Sequence, residues 1–262
     1  MAAPWTSAPT PQAPTPPRPA TPPPVPRITP TGGTFIFTGL HVPKVEASIT
    51  EVKPDGSTGT TAQITKETFI GSGESDLRYP NDALLAPLHA SLAVKEAKLR
   101  LKDLGSPNGT FIKQRQDSEL KAGDVFLIGR TLFRITIQSM DEAVNQGSLQ
   151  GTLMMKSPPK LTRGPVTAKL EQIQLTGEVI QEFSLDKPET TLGRVNGDLV
   201  FAQDPYMSGT HARILAQPGR FLLQDMKSRN GVYRRIRDDV ELADGDEFFL
   251  GEQLFRVGLK VT

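Results

Sequence analysis

The sequence predicts an all-β protein, two β-sandwich domains in tandem behind a disordered, proline-rich N-terminal tail. Three observations predict it. Short runs of alternating apolar and polar residues are broken by turn clusters about every eight to twelve residues. No stretch sustains the apolar period of an amphipathic helix. One unit of the chain is spelled twice, at a constant interval of 122 residues.

The tail comes first, over residues 1–33. Its first thirty residues hold twelve prolines and no acidic residue, and only Arg18 and Arg27 carry charge. Such a segment buries too little apolar surface to offset the entropy of ordering, so a polyproline-like, disordered Pro/Thr-rich tail is expected. It lacks the continuous apolar stretch of a secretory signal. Thr10, Thr15, Thr21 and Thr29 each precede a proline.

The first unit spans 34–139 and the second 166–262, with a linker at 140–165 containing "NQGSLQG" and "KSPPK". Gly71, Asp76, Asp82 and His89 fall on Gly193, Asp198, Asp204 and His211. Asp103, Ser106, Asn108 and Gly109 fall on Asp225, Ser228, Asn230 and Gly231. The register continues through Gly123, Asp124, Phe126, Gly129 and Phe133, opposite Gly245, Asp246, Phe248, Gly251 and Phe255. Runs such as Val179–Leu185, Phe221–Gln224 and Leu254–Val257 read as strands. Pro54–Gly56, Asn196–Gly197, Gln217–Gly219 and Ala243–Asp246 read as turns.

Composition narrows the function. Thirty basic against twenty-nine acidic residues leave a net charge of +1, so no global field points to nucleic acid. No apolar run is long enough for membrane insertion, and a cytoplasmic location is expected. There is no cysteine, which removes disulfides and thiolate zinc sites. Ser157-Pro-Pro-Lys160 sits in a proline-broken linker that cannot preorganise an oxyanion hole. His41, His89 and His211 are too dispersed for a usual zinc site. No catalytic residue, cofactor or metal is therefore expected.

Gly193-Arg194, Ser208-Gly-Thr-His211, Ser228-Arg-Asn-Gly231 and the Gly245-Asp246 turn stand in an order that resembles the forkhead-associated (FHA) domain. The resemblance implies a β-sandwich that reads phosphothreonine, a side chain with about −1.5 to −2 charges and three strong acceptor oxygens. It implies Arg194 as the cationic fork, Ser208 as a hydroxyl donor, and Asn230 as a partner of the peptide backbone. Arg229 as a second charge and Thr210 as a further hydroxyl in the same loop complete the expected phosphopeptide-binding set. Gly193, His211 and Gly231 are expected to be structural, as are Gly71, His89, Asn108 and Gly109 in the first unit. That unit departs where the chemistry lies, with Ser72, Ala86 and Pro107 at the positions of Arg194, Ser208 and Arg229. Lys227, Arg229, Arg234, Arg235 and Arg237 form either a phosphopeptide-attracting collar or a solvated face.

The expected function is a non-catalytic adaptor in Ser/Thr kinase signalling, its partners a kinase and phosphothreonine proteins bound by the second unit. A phosphorylated tail threonine folding back on Arg194 is a further expectation. The competing one is a phospho-independent scaffold.

Overall fold

Alternating burial marks the strands: in Lys98–Asp103, Leu99 and Leu101 are fully buried, Arg100 between them is half-buried, and Lys98 and Lys102 are exposed. Glycines at positive φ end several of them, such as Gly123 and Gly245 in the paired turns. The computed structural model describes residues 45–139 and 166–261, all within one unit. The tail (1–33) and linker (140–165) lie outside the described residues. No helix among the described residues is long and apolar enough to cross a membrane.

The first repeat supplies ten strands: β1 (Val45–Val52), β2 (Thr58–Ile64), β3 (Thr68–Gly71), β4 (Leu77–Arg78), β5 (Ala90–Lys95), β6 (Lys98–Asp103), β7 (Thr110–Lys113), β8 (Ser118–Leu120), β9 (Val125–Ile128) and β10 (Thr131–Ser139). The second supplies ten more: β11 (Val166–Ile173), β12 (Val179–Ser184), β13 (Glu189–Gly193), β14 (Leu199–Val200), β15 (Ala212–Gln217), β16 (Arg220–Asp225), β17 (Val232–Arg235), β18 (Val240–Leu242), β19 (Glu247–Leu250) and β20 (Gln253–Val261).

Two cores form, and neither follows the repeat boundaries at 34–139 and 166–262. The first sandwich packs Ile49, Ile70, Leu92, Leu99 and Leu101 of the first repeat against Leu242, Phe248, Leu250, Phe255 and Val257 of the second. The second packs Leu170, Leu192, Ile214 and Leu223 of the second repeat against Leu120, Phe126, Ile128, Phe133 and Ile135 of the first. The C-terminal strands have changed places. β1 pairs with β20, β6 with β18, β8 with β16, and β10 with β11. The crossing point is the antiparallel pair β7·β17, which fuses the two bodies into one ten-stranded sheet. A five-stranded sheet covers each half, β18-β6-β5-β3-β4 over one and β14-β13-β15-β16-β8 over the other.

Interchangeable cores permit the exchange. Phe126 and Phe133 stack at 5.7 Å in one body, and their equivalents Phe248 and Phe255 stack at 5.3 Å in the other. Either set offers nearly the same apolar payload, roughly 1.5–3 kcal/mol per buried side chain. The charges at the crossing are reciprocal. Arg115 of the first repeat is paired with Asp246 of the second, and Arg237 of the second reaches Asp124 of the first at 2.7 Å.

Candidate functional site

Three loops of the second repeat meet at one end of the second sandwich: the turn after β13, the segment 204–211 before β15, and the segment 226–231 after β16. Backbone bonds fasten the first two. Arg194 N donates to Ser208 O at 2.9 Å, and Asn196 N donates to Gly209 O at 2.9 Å. A Cβ at residue 193 would collide with the carbonyl of Gly209, so only glycine permits this approach. The motif thereby sets Arg194 beside Ser208.

His211 braces the cradle from beneath. It is fully buried. Its Nδ1 accepts from Ser208 N at 3.0 Å, so the proton sits on Nε2, which donates to Gly231 O at 3.0 Å. Burial pushes its pKa below the ordinary histidine value, and the ring is a neutral strut. Ser228 Oγ accepts from Gly231 N at 2.9 Å, while Gly231 turns the chain at φ 82°.

The groups exposed above this frame carry the chemistry. Ser208 Oγ accepts from Arg229 N at 3.0 Å, which occupies a lone pair and leaves the hydroxyl proton available. Among the described residues, the side chains of Arg194, Lys227 and Arg229 have no ion-pair or hydrogen-bond partner, and all three are exposed. Thr210 is half-buried in the same loop with no hydroxyl partner among the described residues. Asn230 Nδ2 donates to Tyr206 O at 2.7 Å, so part of the amide ties two loops together instead of facing outward.

The basic collar resolves into two parts. Arg234 and Arg237 pair with Asp124, and Arg235 donates to Ser106 O at 3.1 Å. These three cations stitch the repeats together. Lys227 and Arg229 remain at the rim.

The first sandwich repeats the frame without the chemistry. His89 is fully buried, accepts from Ala86 N at 3.2 Å and bonds Gly109 O at 3.1 Å. Asn108 Nδ2 donates to Leu84 O at 2.7 Å, and a Cβ at Gly71 would strike the carbonyl of Pro87. Ser72 Oγ, at the position of Arg194, turns inward to Leu85 O at 2.9 Å. Ser72 N donates to Ala86 O at 3.0 Å and Gly73 N to Pro87 O at 3.1 Å, and the adjoining Leu88 is 47% exposed.

The family model of the FHA domain matches residues 68–129 and 190–251. The chain carries two FHA domains. They stand in tandem in the sequence, each match falling inside one repeat. A solved structure described as an analysis of phosphothreonine-dependent FHA domain interactions is 12% identical, covering 81% of this chain and 95% of its own, with a TM-score of 0.29. Over 72 residues the chain is 39% identical to an oxoglutarate dehydrogenase inhibitor of Corynebacterium diphtheriae, covering 27% of this chain and 50% of that protein. It is 38% identical over 72 residues to the glycogen accumulation regulator GarA of Mycolicibacterium smegmatis, covering 27% and 46%. The chain thus spans about half the length of the curated relatives it matches. Among solved structures, Mycobacterium tuberculosis EmbR in complex with a low-affinity phosphopeptide is 26% identical over 33% of this chain and 26% of its own, with a TM-score of 0.20.

Asp82 and Asp204 stand in register in the sequence, which by itself gives them no role. Asp204 is buried beneath the Tyr206–Ser208 loop and bonded to Arg130 and Thr131. Its repetition in register was the available signal. Its partners carry no local signal in the sequence, because they belong to the other repeat.

Proposed function

We propose that this chain is a non-catalytic adaptor that docks phosphothreonine peptides on its second FHA domain, downstream of a Ser/Thr kinase. The carrying observation is the Arg194 guanidinium, without a partner among the described residues, on a loop bonded directly to Ser208, whose hydroxyl proton is likewise uncommitted among them. A planar cation beside a hydroxyl donor suits a dianionic phosphate, and Lys227 and Arg229 add charge at the rim. The names of the two relatives, an inhibitor and a regulator, agree with a protein that acts by binding. The first FHA domain does not read phosphate in this proposal, since it offers Ser72, Ala86 and Pro107 at the corresponding positions.

The test is fluorescence anisotropy with a labelled peptide pool fixed at phosphothreonine, beside phosphoserine and unmodified pools. Wild-type binding should require phosphothreonine. Arg194→Ala should weaken it about 30- to 150-fold, as loss of a charge-assisted hydrogen bond of about 2–3 kcal/mol implies. Ser208→Ala should cost about fivefold. Binding indifferent to phosphate and to both substitutions would instead favour a phospho-independent scaffold.

A further inference from the structure

The turn from β9 to β10, Gly129-Arg130-Thr131, belongs to the first repeat but packs on a loop of the second. Arg130 N donates to Asp204 Oδ2 at 2.7 Å, and Thr131 Oγ1 donates to the same oxygen at 2.9 Å. A Cβ on Gly129 would strike that carboxylate, so the approach needs glycine. Asp204 passes the constraint on, because its Oδ1 accepts from Tyr206 N at 3.0 Å. The Tyr206 carbonyl in turn accepts from Asn230 Nδ2 at 2.7 Å. Above it, the Arg130 guanidinium lies 5.5 Å from the centre of the Tyr206 ring. Two residues further stands Ser208. An unbroken relay therefore runs from the first repeat into two of the three loops of the candidate site.

The first sandwich holds the reciprocal device. Glu252 N and Gln253 Nε2, from the second repeat, donate to Asp82 Oδ2 at 2.7 and 2.9 Å. Asp82 Oδ1 accepts from Leu84 N at 3.0 Å, and Leu84 O accepts from Asn108 Nδ2. Each brace is completed by the other repeat.

We propose that the first FHA domain is a working part of the phosphothreonine site of the second: its Arg130 and Thr131 are positioning residues that hold the Tyr206–Ser208 loop in binding geometry. This assigns a task to a repeat whose own rim lacks the cation and hydroxyl. The binding half of the proposal rests on the phosphate function given above; the structural half stands alone.

The chain contains no cysteine, so engineered pairs report the topology cleanly. Leu222 faces Glu119 across β16·β8. Glu241 is the equivalent of Glu119 and would take its place if each repeat closed on itself. In the full chain, Glu119→Cys with Leu222→Cys should form an intrachain disulfide under mild oxidation, and Glu241→Cys with Leu222→Cys should not. With the labelled phosphothreonine peptide pool, Thr131→Val should lower affinity about three- to tenfold and Thr131→Ser should restore it. Arg130→Ala, which removes only the ring contact, should cost about two- to fivefold. Gln253→Leu, the change that would matter in a self-closed repeat, should leave affinity unaltered. Crosslinking of the 241/222 pair, or a peptide response to Gln253→Leu and not Thr131→Val, overturns the proposal. A wild-type chain that ignores phosphothreonine overturns the proposed function and the positioning role with it, while the crosslinks still decide the strand exchange.

Discussion

Lys227 occupies the left-handed region at φ 56°, where its counterpart Gly105 sits at 80° with no steric cost. A lysine there is strained by about 1 kcal/mol or more. Its exposed ammonium also belongs to the rim above Ser208. Lys227→Gly should therefore move two measurements in opposite directions: urea unfolding should report about 1 kcal/mol of added stability, and anisotropy a two- to fivefold weaker phosphopeptide. A variant that is both weaker-folding and tighter-binding contradicts this. The buried histidines set a pH dependence. Burial lowers the pKa of His89 and His211 despite their carbonyl hydrogen bonds, so below about pH 6.5 the unfolded chain takes up more protons than the folded one. Their contribution to stability is full above that pH and is lost as pH falls beneath it. The unfolding free energy from urea titration should drop between about pH 7 and 5, by at most about 1.4 kcal/mol per pH unit for each ring; an unchanged free energy would contradict the neutral assignment. Residues such as Arg194, Ser208 and His211 were legible because each motif lies within one loop. The partnership of Asp204 with Thr131 was not, since hydrogen bonds across 73 residues leave no local spelling.

Strands were equally legible, and their pairing was not. Val179, Phe221 and Leu254 all fall in strands that alternation foretold. Which strand lies beside which is decided by side chains that the two repeats share, so Phe126 and Phe248 gave no basis for choosing. Tie-breaking falls to residues that differ: Lys113 pairs with Glu247 at 2.9 Å between repeats, whereas the first-repeat equivalent of Glu247 is Val125. Such a pair is partly exposed and contributes about 1 kcal/mol at most. One edge of the ten-stranded sheet, β12, leaves Val179 39% and Ile180 56% exposed beside unpaired backbone. Open apolar edges invite strand-to-strand association. Ile180→Lys should lower self-association in sedimentation velocity at high concentration while changing unfolding free energy by less than about 0.5 kcal/mol; unchanged association would show that this edge is already protected.

At the scale of the molecule, two cores that each draw strands from both repeats cannot melt separately. Phe248→Ala removes a second-repeat side chain from the first sandwich, at a cost of about 3–5 kcal/mol. If the bodies are coupled through exchanged strands, circular dichroism and loss of phosphopeptide binding should shift to the same lower midpoint, although Phe248 lies outside the second core. Two separated transitions would contradict the coupling. The pairing of β1 with β20 has one more consequence, in the order of synthesis. Val45 emerges from the ribosome early and its partner Val261 only about 216 residues later, roughly 10–40 s at ordinary elongation rates. Through that delay the opening strands lack their final neighbour, and β8–β10, already made and shaped alike, fit the vacant place. Translation of this protein is thus a race between a provisional closure and the one that waits for β20.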